Sequence, residues 1–121
     1  MDNKVFLNNE DIIEEVYVGD QDGFSVQETL VKNALPLIEH LKSQSKQVLV
    51  LVDLLQIGMP NASARAVAQK ALQELDFEKL AVYTENVYIK YVATFVIKAS
   101  GKSEKIKVFK TRDEALAWLK Q

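Results

Sequence analysis

The run Val48-Leu49-Val50-Leu51-Val52, continuing through Asp53-Leu54-Leu55, restricts the fold more than any other segment. It is partly β-branched and lacks the alternation of a strand with one wet face, so both of its faces are expected to be covered. A strand of that kind belongs at the centre of an α/β sheet. It is also far short of the ~20 apolar residues a membrane helix needs, so no membrane span is expected.

The flanking sequence supplies the rest of such a sheet. Val5-Phe6-Leu7, the turn signal Asn8-Asn9 and the segment Asp11 to Val18 predict an N-terminal hairpin. Asp20-Gln21-Asp22-Gly23 reads as a loop; its acids lack the third oxygen ligand and distal Glu of a calcium loop. Ser25 and Glu28 have capping-box spacing, and Val26, Leu30, Val31, Ala34, Leu37, Ile38 and Leu41 recur at helical spacing. Pro36 should kink or split that helix, which ends in the polar stretch Lys42 to Lys46. After the central strand, Gly58-Met59-Pro60-Asn61 reads as a loop and Ala62 to Leu75 as a helix. Leu80 to Thr84 is a strand.

Val87 to Ala99 is rich in strand formers, but it is long and lies between two strands. Parallel neighbours need a crossover, so a helix is predicted, with Asn86 before it and Gly101 after it as caps. Ile106 to Phe109 is the last strand, and Thr111 with Glu114 opens the helix Asp113 to Lys120. The expectation is one α/β domain over residues 1–121, a mixed sheet of about five strands flanked by four helices.

Charge is uneven. Residues 1–45 hold nine acids against three lysines, and residues 86–121 hold three acids against eight bases. No basic-aromatic motif accompanies the basic end, and Lys105, Lys107 and Lys110 flank a strand as edge protection, so no nucleic-acid partner is expected. The chain has no cysteine, which removes disulfides, thiolate metal sites and cysteine nucleophiles together. The N-terminal stretch lacks the apolar core of a signal peptide, and the expectation is a cytoplasmic protein.

Catalytic signals are weak. The only histidine, His40, sits on a helix surface, and there is no nucleophile elbow, phosphate loop or dinucleotide fingerprint. No enzymatic activity, metal or cofactor is expected. The better constellation is Asp53, near the end of the central strand, with Asn61 and Ser63 at the following helix start. Open α/β sheets present binding surfaces at the carboxyl ends of their strands. Thr84 and Asn86 join this edge from the next strand.

The segment Val48 to Leu54, a loop and a helix opening at Asn61-Ala62-Ser63 resembles the STAS domain of anti-sigma-factor antagonists and sulfate transporters. Phe77 to Tyr83, then Val108 to Leu119, is similar to the small stand-alone bacterial STAS-like subgroup, itself similar in fold to CRAL-TRIO lipid-binding domains. The resemblance runs from about Phe24 to the end. It implies a mixed sheet flanked by helices and a role in protein–protein regulation or small-ligand sensing. The classical antagonists carry a phosphorylated Ser at that helix start. Alignment on Asp53-Leu54 puts Asn61 at the family's Asp and Ala62 at the phosphorylated Ser, with Ser63 one position on, so the resemblance does not carry the phospho-switch to this chain.

Two functional readings follow. The first is a non-enzymatic regulatory module that binds a protein partner through Asp53, Asn61, Ser63, Thr84 and Asn86. The alternative is a carrier or sensor of a small apolar, lipid-like ligand. It rests on the helix from Val87 to Ala99, where Tyr88, Tyr91, Val92, Phe95 and Val96 are expected to share one face and Ile89, Ala93 and Ile97 to lie off it. That face is expected to pack on the core, form a homodimer contact or wall a ligand cleft.

Overall fold

The computed structural model describes residues 2–121. β1 (Lys4–Leu7) and β2 (Ile13–Gln21) form the antiparallel hairpin, closed by a turn in which the Asn8 side chain accepts from the amides of Glu10 and Ile12. β3 (Leu49–Pro60), β4 (Lys79–Tyr83) and β5 (Ile106–Phe109) follow in parallel, giving one mixed sheet in the order β1-β2-β3-β4-β5. The expected hairpin, alternation and five strands are all present, and the Val48–Leu55 run is the middle strand. β5 is an edge, as its flanking lysines suggested.

The first helical region is split. α1 (Gly23–Val26) passes into a π-helical turn (Gln27–Lys32), and α2 (Leu35–Ser43) restarts with Pro36 in its first turn. Proline has no N–H to continue the ladder and is tolerated only there. The remaining helical regions are α3 (Ala62–Glu74), α4 (Val87–Ser100) and α5 (Arg112–Leu119). α4 is a helix despite its strand-forming residues. Asn86 accepts from the Ile89 amide at its start, and Gly101 takes the left-handed conformation at its end (φ 78°).

Three boundaries differ from the sequence reading. The N-cap of α1 is Asp22, not Ser25: the Asp22 carboxylate accepts from the Ser25 amide and the Ser25 hydroxyl accepts from the Asp22 amide. Ser25 is therefore the far half of the capping box. β2 extends through Asp20 and Gln21, which were expected to be loop. β3 extends through Gly58-Met59-Pro60, also expected to be loop, and pairs Gly19 with Ile57 and Gln21 with Pro60. Gly58 makes this possible. A Cβ at that position would lie 2.9 Å from the Asp20 backbone nitrogen and 3.0 Å from the Gly19 carbonyl carbon.

The sheet is covered on both faces, as its central strand demanded. Val50 and Val52 pack toward α1, α2, α3 and α4 in the larger core, together with Leu41, Leu72 and Leu80. Leu51 points the other way, into a smaller core with Ile12, Ala81, Ala115 and Leu119 beneath α5. Burial of one such side chain contributes roughly 1.5–3 kcal/mol.

Candidate functional site

β3 continues seven residues past Asp53, its last residue paired with β4, and pairs with β2 alone on the way to Pro60. This overhang carries the chain over the edge of the larger core and delivers it to the start of α3. There Asn61 caps the helix, accepting from the Ala64 amide at 2.9 Å, while the Ser63 hydroxyl donates to Asn61 Oδ1 at 2.8 Å. The same hydroxyl accepts from the Gly23 amide at 2.8 Å and so ties α1 to α3. Phe24 (73% exposed) and Met59 (56% exposed) project into solvent at this corner, next to the acidic side chains of Asp20 and Asp22.

The five residues expected to form one edge lie in three settings. Asn61 and Ser63 are in direct contact at the α1–α3 corner. Thr84 and Asn86 are together at the start of α4, where buried Thr84 accepts from the Asn86 amide at 3.2 Å and Asn86 caps the helix. Asp53 is paired with Tyr83, the residue before Thr84, and is apart from Asn61 and Ser63. It is the fifth of twelve strand residues rather than near the strand's end, and Asn61 is eight residues further along.

Asp53 shares strand parity with Leu51 and faces α5. It accepts from the Leu55 amide at 2.9 Å and lies beside Tyr83, its partner on β4. Burial, with a contribution from Asp53, pushes the Tyr83 phenol up to about 12, although Arg112 works in the opposite direction. Arg112 forks onto the buried Glu14 carboxylate, with its second contact at 2.9 Å, and holds that carboxyl below its ordinary value. The sequence reading missed Glu14 and Arg112. The signal for Glu14 is the pair Glu14-Glu15, two adjacent acids between the apolar residues Ile12-Ile13 and Val16-Tyr17-Val18.

The second of those acids is in the larger core. Glu15 is 1% exposed and accepts from the Tyr17 hydroxyl at 2.9 Å. Burial raises its carboxyl to about 8, the Tyr17 hydrogen bond pulling it back down, and burial also raises the Tyr17 phenol well above its usual value.

A cavity of about 120 Å³ lies between the sheet, α3 and α4. Buried Tyr17, Val52, Leu80 and Val82 line it from the sheet, with half-buried Leu54, Ile57, Arg65 and Val92, and the surface they present is almost wholly apolar. Its far wall is Ile89, Ala93, Val96 and Ile97 of α4. The two sides of this helix therefore divide differently from the sequence reading. Val92 and Val96 join Ile89, Ala93 and Ile97 on the inside, whereas Tyr88, Tyr91 and Phe95 stand in solvent. At 100° per residue, positions 88, 91 and 95 form a separate stripe.

Among the described residues, no group of His, Cys, Asp and Glu side chains could hold a metal ion, and no helix is long and apolar enough to cross a membrane. What the arrangement offers chemically is binding: an apolar cavity, a capped helix corner flanked by exposed apolar side chains, and an enclosed carboxyl.

A family model described as a domain of unknown function, DUF7793, matches residues 25–121. No curated protein matches the chain. Among solved structures, the chain is similar to an uncharacterized protein of the DUF3478 family from Shewanella loihica PV-4, described as having a SpoIIAA-like fold. The two are 16% identical, with a TM-score of 0.63 over 97% of this chain and 91% of that one. The STAS-like fold expected from the central strand and the α3 start is thus the fold of this protein.

Proposed function

The chain belongs to the DUF7793 family, and from that premise we propose that it is a cytoplasmic, non-enzymatic regulatory module of STAS type that binds a protein partner at the α1–α3 corner. The observation that carries this reading is the exposure of Phe24 on α1 and of Met59 just before α3, two elements tied together by the Gly23–Ser63 hydrogen bond. A capping network of Asp22, Ser25, Asn61 and Ser63 fixes the backbone at this point. Two large apolar side chains held out on a fixed backbone cost little entropy to dock. Asp20 and Asp22 beside them favour a partner that offers an apolar socket bordered by basic groups. Thr84, Asn86 and Asp53 lie outside this surface, and the exposed Tyr88, Tyr91 and Phe95 stripe of α4 is a second surface, suited to a contact between two copies of the chain.

The test is a photo-crosslinking amino acid introduced at Met59 and, as a control, at exposed Lys70 on α3. In the native host the Met59 probe should yield a discrete crosslinked species that the Lys70 probe does not. The double substitution Phe24→Asp with Met59→Asp should abolish capture by a third probe at exposed Ala62 without lowering the melting temperature. Identical products from Met59 and Lys70 would remove the corner from consideration.

A further inference from the structure

We propose that two copies of this chain pair through the outer face of α4, the helices running antiparallel about a two-fold axis near Tyr91. The inner face of the helix is taken up by the core, where Ile89, Val96 and Ile97 are buried. The outer face is apolar where a solvated helix would be polar. Tyr91 and Phe95 are each 73% exposed, Val87 is 67% exposed and Tyr88 48%. At ~200 Å² per aromatic side chain, the three rings leave roughly 400 Å² uncovered on each copy. Two copies bring about 800 Å² of aromatic surface together, and Val87, Ala99 and the Lys98 stem on the same face carry the total toward the ~1,200 Å² at which stable interfaces begin.

Charge selects the occupant and its direction. α4 contains no acid; its charged residues are Lys90 and Lys98, and Glu85 lies just before the Asn86 cap. Glu85 and Lys98 are exposed, and neither has an ion-pair partner among the described residues. A parallel pair would set lysine against lysine and acid against acid, with the two helix dipoles side by side in the same sense. An antiparallel pair centred between Tyr91 and Val92 instead brings Lys98 of each copy level with Glu85 of the other. The same register sets Tyr88 of each copy level with Phe95 of the other. Seven residues apart, these two positions lie within about 20° of each other around the helix, so their rings meet on one side of the contact with the two Tyr91 rings between them. The contact is isologous and closes at two copies. It uses none of the residues assigned to the α1–α3 corner, so it stands independently of any partner there.

Sedimentation velocity over a concentration series tests the pairing, and crosslinking tests its direction. The wild-type chain should sediment as a dimer at high micromolar concentration. Tyr91→Lys with Phe95→Lys should be monomeric throughout, with an unchanged far-UV circular dichroism spectrum because both positions are exposed. Glu85→Lys should weaken the dimer about ten-fold, and adding Lys98→Glu should restore the dissociation constant to within about two-fold of wild type. The chain has no cysteine, so Glu85→Cys and Lys98→Cys each introduce a single thiol. A short bis-maleimide should join these two variants when they are mixed and leave each of them alone unjoined. A wild-type chain that stays monomeric at several hundred micromolar overturns the proposal, whatever other protein the stripe captures. A dimer that survives the two lysines, or that is indifferent to Glu85→Lys, overturns it as well. Crosslinking of each cysteine variant with itself rather than with the other contradicts the antiparallel register.

Discussion

Tyr17 donates its phenol to the carboxyl of Glu15 at 2.9 Å, two residues away on the same face of β2 and inside the larger apolar core. Among the described residues no cation pairs with Glu15, and burial raises its carboxyl from 4.5 to about 8, which keeps it protonated at neutral pH.

The consequence for pH is signed. The folded value lies above the unfolded one, so the native state binds more protons between them and stability falls as pH rises. The contribution is complete below pH about 4.5 and lost above about 8, with a slope approaching 1.4 kcal/mol per pH unit in between. Glu15→Gln should flatten this limb. Urea unfolding at pH 6 and pH 9 checks it, and parallel losses in both proteins would mean that Glu15 is charged in the fold.

The acid limb belongs to Glu14. Its carboxyl is lowered, chiefly by the hydrogen bond from Arg112, so its stabilisation is present above pH about 4.5 and is lost as pH falls through the folded value. Arg112→Met leaves the buried carboxylate with the Asn8 amide alone. Because the Arg112 side chain is 43% exposed, the loss at pH 7 should stay near about 1–2 kcal/mol and shrink toward zero at pH 3. Denaturant unfolding at the two pH values reads both numbers.

Gly58→Ala should be costly although the glycine lies in a strand and needs no unusual φ. The added methyl meets the Asp20 backbone as well as its side chain. A loss of about 1–3 kcal/mol is expected, with faster hydrogen exchange at the Met59 amide, which now donates to Asp20 Oδ1 at 2.8 Å. Unchanged exchange would mean the two strands are not in contact there.

Ser63→Ala removes the acceptor of the Gly23 amide and the donor to Asn61. The site is exposed, so the cost should be about 0.5–1.5 kcal/mol, and it should be visible as faster exchange across α1 with α3 unaffected. Equal loosening of both helices would put the role of Ser63 inside the α3 cap instead.

Much of the fold is legible in the residues. Val48–Val52 could only be an interior strand, and the crossover requirement made a helix of Val87–Ala99 against its own propensities. What was hidden depends on contacts distant in sequence. Gly58-Met59-Pro60 has loop composition and becomes strand only because Asp20 and Gln21 lie alongside it. Ser25 yields the cap to Asp22, since both have capping chemistry and only the path out of β2 chooses between them. The cavity needed α3 and α4 side by side, which no local stretch of sequence reveals.

The overhang of β3 along β2 carries the proposed function, since it brings Met59 to the corner. Solution NMR of the labelled protein tests it directly. The account predicts cross-strand contacts between the backbone protons of Gly19 and Ile57, and between the Gly23 amide and the Ser63 β-protons. Their absence, with Leu54–Pro60 giving the averaged shifts and rapid exchange of a loop, would contradict it.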